Sequence, residues 1–187
     1  MGPPSDAFSR KDDHIDLALA GRGRSATDAG FDAVRFQHNA LPELDYDAID
    51  LTTSFLGKNL AAPFLISSMT GGPARAASIN ERLAEAAESL RIALAVGSQR
   101  IAIDSSADLG LGPDLRRRAP NALILANLGA VQFTKGYGLD QARRAVEMIG
   151  ADGLILHLNP LQEAVQPEGD RDWRGVEAAV ASVAKAF

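Results

Sequence analysis

A chain of 187 residues with 46% hydrophobic and 23% charged side chains has an ordinary globular composition, which excludes the disordered and membrane classes. Its net charge of −5 offers no general attraction to nucleic acid or to anionic membranes, so any phosphate site must be local. The lack of cysteine excludes disulfides, thiolate nucleophiles and Cys-ligated zinc, and suits a cytoplasmic setting.

Residues 1–9 read as a disordered lead-in, with no apolar run long enough for a signal sequence or a membrane span. Residues 10–62 form a predicted extension ahead of the main domain. In it Ile15, Leu17, Ala18 and Leu19 stand between a charged start and the stop signals Gly21 and Gly23, predicting a short helix over 11–20. From Phe31 to Tyr46 no hydrophobic period persists, and His38, Asn39, Pro42 and Asp45 predict a surface loop. Ile49 to Leu56 then leads through Gly57-Lys58-Asn59 into Leu60, a β-hairpin pattern that Pro63 ends.

Residues 63–187 carry a different rhythm. The apolar run Phe64 to Met69 predicts a buried strand ending in Thr70-Gly71-Gly72, and Ile79, Leu83, Ala86, Ala87 and Leu90 predict a helix over 78–92. Ser78 with Glu81 three residues on has the form of a capping box at its start. The unit recurs as a strand over 93–97, a helical or irregular stretch over 106–118, a strand over 122–126 and a helix over 139–149. A fourth strand over 153–156 and a helix over 175–187 complete four βα units. Uniformly apolar strands alternating with helices require a parallel sheet covered by helices, either a barrel or an open sheet. In both, ligands sit beyond the carboxyl ends of the strands.

The polar residues gather at those ends: Ser68-Met69-Thr70, Ser98-Gln99-Arg100, Asn127, and His157 with Asn159. Glycines beside Thr70 let backbone approach a planar ring. Arg100 offers a fork suited to phosphate. Arg10-Lys11 reads as a solvated pair, or as two cations closing on a phosphate if the N-terminal helix folds over the mouth. In His157-Leu158-Asn159-Pro160-Leu161-Gln162-Glu163, a lone carboxylate among amides and an imidazole suits Mg²⁺ shared with phosphate oxygens; the alternative is a polar loop capping the next helix. Residues 166–173 read as a charged turn. No Walker loop, dinucleotide fingerprint, HExxH or nucleophile elbow is present.

At these residues the chain resembles the type 2, FMN-dependent isopentenyl diphosphate isomerases. The shared motifs are Arg10-Lys11-x-x-His14, the hairpin ending in Gly57-Lys58, Ser67 to Gly72, Gly97 to Arg100, Asn127-Leu128-Gly129, His157 to Glu163 and Gln166 to Asp170. The combination of Arg10-Lys11, Ser98-Gln99-Arg100 and His157 to Glu163 is specific, whereas Met69 to Gly72 and the hairpin are shared more widely among FMN barrels.

The resemblance implies a (β/α)8 TIM barrel, of which this chain covers about the first four βα units, interconverting isopentenyl and dimethylallyl diphosphate with reduced FMN and Mg²⁺ and with NADPH as reductant. By the same resemblance, Ser68, Met69, Thr70, Ser98 and Asn127 hold FMN. Arg10, Lys11, Ser98, Gln99, Arg100, His157, Asn159 and Gln162 bind substrate, Gln162 and His157 are catalytic, and Glu163 ligates the metal. It further implies a homo-oligomer, tetramer or octamer, with neither nucleic acid nor membrane as partner. A barrel needs eight units, so the chain is expected to be a truncated, proteolysed or partial form, binding flavin weakly and turning over little by itself. The rival readings are an FMN-dependent 2-hydroxy acid oxidase and a half-barrel binding module.

Overall fold

A computed structural model describes residues 5–69, 74–105 and 109–187, with side chains described from Asp12 onward in the first stretch and from Arg75 onward in the second. The chain divides into two units, Met1–Leu51 and Thr52–Phe187.

In the first unit, helix α1 spans Ser5–Leu19. It begins inside the stretch expected to be a disordered lead-in, which is therefore corrected for residues 5–9. Residues 31–46 are exposed throughout, as a surface loop requires, and contain one short 3₁₀ turn, Phe31–Ala33. A second, Tyr46–Ala48, starts where Asp45 accepts the Asp47 N–H.

The second unit opens with the hairpin β1 (Thr53–Phe55) and β2 (Lys58–Leu60), paired antiparallel with Thr53 opposite Leu60. Its turn is Leu56-Gly57, one residue earlier than the sequence pattern indicated. Both have positive φ, 48° and 75°, the geometry that matches the twist of a two-residue hairpin. The hairpin belongs to this unit and not to an N-terminal extension ending at residue 62. Leu60 is buried against Ala93, Ala95, Leu123 and Leu125, and the Ala61 N–H donates to the Arg91 carbonyl at 2.8 Å.

Next come β3 (Leu65–Ile66), α2 (Ala74–Leu90), β4 (Ala93–Ala95), α3 (Arg100–Ser105), α4 (Asp114–Arg118) and β5 (Ile124–Gly129). A 3₁₀ turn, Ala130–Thr134, leads to α5 (Leu139–Ile149), β6 (Gly153–His157), α6 (Pro160–Val165) and α7 (Val176–Ala186). Strands β3, β4, β5 and β6 pair in parallel and in chain order. Each strand is added to the same edge, which is barrel winding; a doubly wound sheet reverses direction part-way.

The two faces of the sheet confirm this. Leu94, Val96, Ile124, Ala126 and Leu128 pack with Ala84, Ala87, Leu115, Ala145 and Ile149 of α2, α4 and α5. The alternate residues Ala93, Ala95, Leu123 and Leu125 meet Leu60 of the hairpin instead. Helices thus cover one face, and the hairpin lies on the other. This is the α/β architecture of consecutive βα units of a TIM barrel.

Helix α2 buries Ala76, Asn80, Ala84 and Ala87, a stripe at helical spacing whose small side chains allow close packing. It starts before Ser78, so the predicted capping box is not formed; Ser78 Oγ donates to the Arg75 carbonyl inside the helix instead. Arg91, at φ 53°, ends α2 in the left-handed conformation, as Gly150 at φ 58° ends α5.

A polar network ties down the ends of the strands opposite the mouth. Arg116 donates to the carbonyls of Gly150, Ala119 and Ala122 and to Asp152 Oδ2 at 2.8 Å. Asp152 also accepts the Ile124 N–H, and Lys58 Nζ stands 3.5 Å from its other oxygen. Burial alone would raise the Asp152 pKa. The Ile124 and Arg116 hydrogen bonds and the charges of Arg116 and Lys58 outweigh it and hold the carboxyl below its usual value. Glu88 is likewise held low against burial, by hydrogen bonds from Asn121 and the Ala122 N–H.

Candidate active site

The carboxyl ends of β3 to β6 bring two groups of polar side chains together. The first joins Ser68, Asn127 and His157. Asn127 is 2% exposed; its Nδ2 donates to Ser68 Oγ at 2.9 Å, and its Oδ1 lies 2.7 Å from His157 Nδ1. With the amide nitrogen directed at Ser68, the amide oxygen is left to accept, so His157 carries a proton on Nδ1. Gly129 ends β5 beside this ring, and a Cβ there would lie 3.3 Å from His157 Nε2.

Gln99 stands behind the group. It is fully buried, its Nε2 donating to the Ala145 carbonyl at 2.8 Å and its Oε1 accepting the Asn127 N–H at 2.9 Å. The Gln99 side chain, expected from the resemblance at the substrate or its neighbourhood, thus stands one layer behind the mouth. A buried amide with both ends satisfied by the protein joins α5 to β5 and positions Asn127. Neighbouring Ser98 and Arg100 are partly exposed at the mouth, with the Arg100 N–H 3.5 Å from Ser98 Oγ.

The second group is built on α6, a short helix that the sequence pattern does not predict. Pro160 occupies its first turn, where a missing N–H is harmless, and Asn159 precedes it. Asn159 Nδ2 donates to Glu163 Oε1 at 2.8 Å and reaches Gln162 Oε1 at 3.2 Å. Glu163 Oε2 accepts the Asp170 N–H at 2.8 Å. The turn closes this tightly because residue 169 is glycine: a Cβ there would lie 1.8 Å from the Glu163 carbonyl oxygen. Asn159 Oδ1 is buried without a hydrogen-bond partner, an orphaned acceptor beside a carboxylate.

Asp170 links the rest. One oxygen accepts from Gln132 Nε2 at 3.1 Å and lies 3.7 Å from Arg100 Nη1, while the other lies 3.7 Å from Lys135 Nζ. Tyr137 Oη donates to Asp104 Oδ1 at 2.6 Å at the far end of α3. Burial first, then that hydrogen bond and the Asp104 charge, push the Tyr137 pKa well up, so the phenol stays protonated and serves as a fixed donor.

The expected residues Ser68, Ser98, Arg100, Asn127, His157, Asn159, Gln162 and Glu163 therefore all stand at the carboxyl ends of the strands or on the turns directly after them. Met69 is there too, 75% exposed. Thr70 lies outside the described residues, as do the side chains of Arg10 and Lys11 on α1. Asp170, which lies in the shared Gln166 to Asp170 motif, has no site role in the sequence reading, and neither has Gln132 or Lys135. Gln132 had a usable signal, three residues beyond the end of β5; Asp170 was hidden in what read as a charged turn. Among the described residues, no group of three or more His, Cys, Asp or Glu is arranged to hold a metal by protein ligands alone.

Comparison with known proteins bears on the same residues. The chain is 67% identical over 180 residues to an isopentenyl-diphosphate delta-isomerase of Xanthobacter autotrophicus, covering 96% of this chain and 52% of the relative. Over nearly its whole length, the chain is similar to the isopentenyl-diphosphate delta-isomerases. Relatives of the same name from Stutzerimonas stutzeri and Synechocystis sp. are 60% and 51% identical, over 94% and 95% of this chain and 51% of each relative. The chain thus spans about half the length of the curated relatives it matches. A family model described as FMN-dependent dehydrogenase matches residues 18–106, a stretch that holds the hairpin, β3 and β4 with the strand ends at Ser68 and Ser98.

Proposed function

We propose that this chain forms the diphosphate and metal side of an isomerase that interconverts isopentenyl and dimethylallyl diphosphate. The observation that carries the reading is the Asn159–Glu163–Asp170 cluster beside Arg100: a guanidinium, an anchored carboxylate and an unpaired buried amide oxygen at one barrel mouth. The relatives' name supports it.

The donor set fits Mg²⁺. Glu163 supplies one carboxylate and Asn159 Oδ1 a neutral oxygen; Mg²⁺ completes its shell with water and phosphate oxygens, so one protein carboxylate suffices. The mouth also fits a flavin. Met69 offers an exposed apolar surface beside the Ser68–Asn127 pair, and Asn127 retains a second N–H and a second lone pair for a ring edge. Ser68, Met69, Thr70, Ser98 and Asn127 would hold FMN. Bound in its reduced form, with NADPH as reductant, it would supply an electron-rich ring that stabilises positive charge developing on the substrate.

The reaction moves a proton on at one carbon and off at another, so the protein's task is to hold two phosphates away from those carbons and fix their orientation. Ser98, Arg100 and Asn159 bind the diphosphate. Gln162 reaches toward the substrate from the first turns of α6. His157, with Nδ1–H fixed by Asn127, lines the phosphate side in one tautomer. The assembly in this reading is a cytoplasmic homo-oligomer.

The test is a chimera in which this chain replaces the matched half of the Xanthobacter autotrophicus relative. With FMN, a reductant and Mg²⁺, conversion of isopentenyl to dimethylallyl diphosphate is expected by NMR. A flavin-loaded chimera that oxidises a 2-hydroxy acid and leaves isopentenyl diphosphate unchanged would overturn the reading, as would a folded chimera that takes up no flavin.

A further inference from the structure

Asp170 holds a place that the proposed reaction does not use. Its side chain meets a cation on each oxygen, Arg100 from α3 and Lys135 from the end of the 3₁₀ turn after β5, and a buried amide, Gln132, from the same turn. Its backbone N–H holds Glu163. Its carbonyl accepts the Trp173 indole N–H at 2.8 Å, which anchors the segment leading to α7. One residue therefore connects three strand-end loops, and each of the three contributes a charged group to the mouth. Arg100 and Lys135 are both long and partly exposed, 36% and 43% at their side chains, and without a shared counter-ion their mutual repulsion would drive them apart.

We propose that Asp170 is a positioning residue that gathers Arg100 and Lys135 into one cation pair next to Glu163, and that Lys135 is a further diphosphate-binding residue. The inference rests on the diphosphate reading given above. A carboxylate two-thirds or more covered, bonded to a buried amide, is a fixed anchor; it keeps both cations at the mouth before the ligand arrives, so less side-chain freedom is lost on binding. The competing account is that Asp170 merely staples its loop to the 3₁₀ turn through Gln132. The two accounts differ in what Lys135 does.

The experiment is calorimetric binding of inorganic pyrophosphate, with Mg²⁺, to the wild-type protein and to D170N, K135Q, R100Q and the double variant R100Q/D170N, each with its melting temperature. D170N keeps the shape, and K135Q changes only a half-exposed side chain, so it carries the test should D170N fold poorly. We expect D170N to weaken pyrophosphate about tenfold and K135Q about threefold, as for partly screened charge contacts. The D170N loss should shrink in the R100Q background, leaving the part that Asp170 exerts through Lys135. D170E, which keeps the charge, should recover most of the affinity. An unchanged or higher affinity in D170N or K135Q overturns this inference alone. A wild-type protein that binds no pyrophosphate overturns the diphosphate reading and this inference with it.

Discussion

Gln99 and Asn127 are joined twice: the Gln99 N–H donates to the Asn127 carbonyl, and the Asn127 N–H donates to Gln99 Oε1, both at 2.9 Å. The buried Gln99 amide also holds the Ala145 carbonyl, so one side chain connects the outer helix α5 to the residue that orients His157. Gln99→Leu preserves volume, strands the buried Asn127 N–H and removes the side-chain bond to the Ala145 carbonyl. It is expected to destabilise the protein by about 3 kcal/mol in thermal or urea unfolding and to disturb the His157 ring signals in NMR. A variant as stable as wild type would contradict the assigned role.

Gly169→Ala should act on the site more than on the core. The added methyl would lie 1.8 Å from the Glu163 carbonyl oxygen, so the turn must move and the Asp170 N–H must leave the Glu163 carboxylate. The expected result is a loss of about tenfold in Mg²⁺-supported pyrophosphate affinity, the size of one charge-assisted hydrogen bond. Gly23→Ala, where nothing lies within 4 Å, is the control and should change neither affinity nor stability.

Glu163→Gln separates metal from phosphate binding. The amide oxygen can still accept from Asn159, but the charge that attracts Mg²⁺ is gone. Wild-type protein is expected to bind pyrophosphate more tightly when Mg²⁺ is added, and E163Q to show no such gain. A full Mg²⁺ effect in E163Q would remove Glu163 from the metal site.

Asp152 gives a stability prediction with a defined sign. Its carboxyl titrates below the usual value of 3.8 in the folded protein, so its contribution is complete above about pH 4 and disappears as pH falls through the lowered value. D152N should therefore cost about 2 kcal/mol at neutral pH, with a difference from wild type that shrinks in acid-unfolding titrations below that range. A difference that stays constant down to pH 2 would show that the charge is not responsible.

These predictions also mark what the sequence made legible. Helix α5 and strand β6 stood out because their neighbours in sequence are also their structural limits: Gly150 closes one and Gly153 opens the other. The start of α2 was hidden, because Ser78 and Glu81 imitate a cap although the helix begins at Ala74. The hairpin was legible, but its membership of the barrel unit was not, since it depends on Leu60 meeting side chains more than thirty residues away. The gathering of polar residues at the strand ends was legible from position. That the Gln99 amide bonds α5 and β5 was not legible, because a strand-end amide reads the same whether it faces a ligand or a helix; the links of Asp170 were not legible because its partners come from two other loops.

The central claim is that this chain supplies the diphosphate and metal side of an isopentenyl diphosphate isomerase. The most direct measurement is NMR detection of dimethylallyl diphosphate formed from isopentenyl diphosphate by the chimera with the Xanthobacter autotrophicus relative, with and without E163Q. We predict turnover that requires FMN, reductant and Mg²⁺ and falls at least about a hundredfold in E163Q, as removal of a metal-holding carboxylate should produce. A folded, flavin-loaded chimera that produces no dimethylallyl diphosphate, or one that turns over equally well with E163Q, would contradict it.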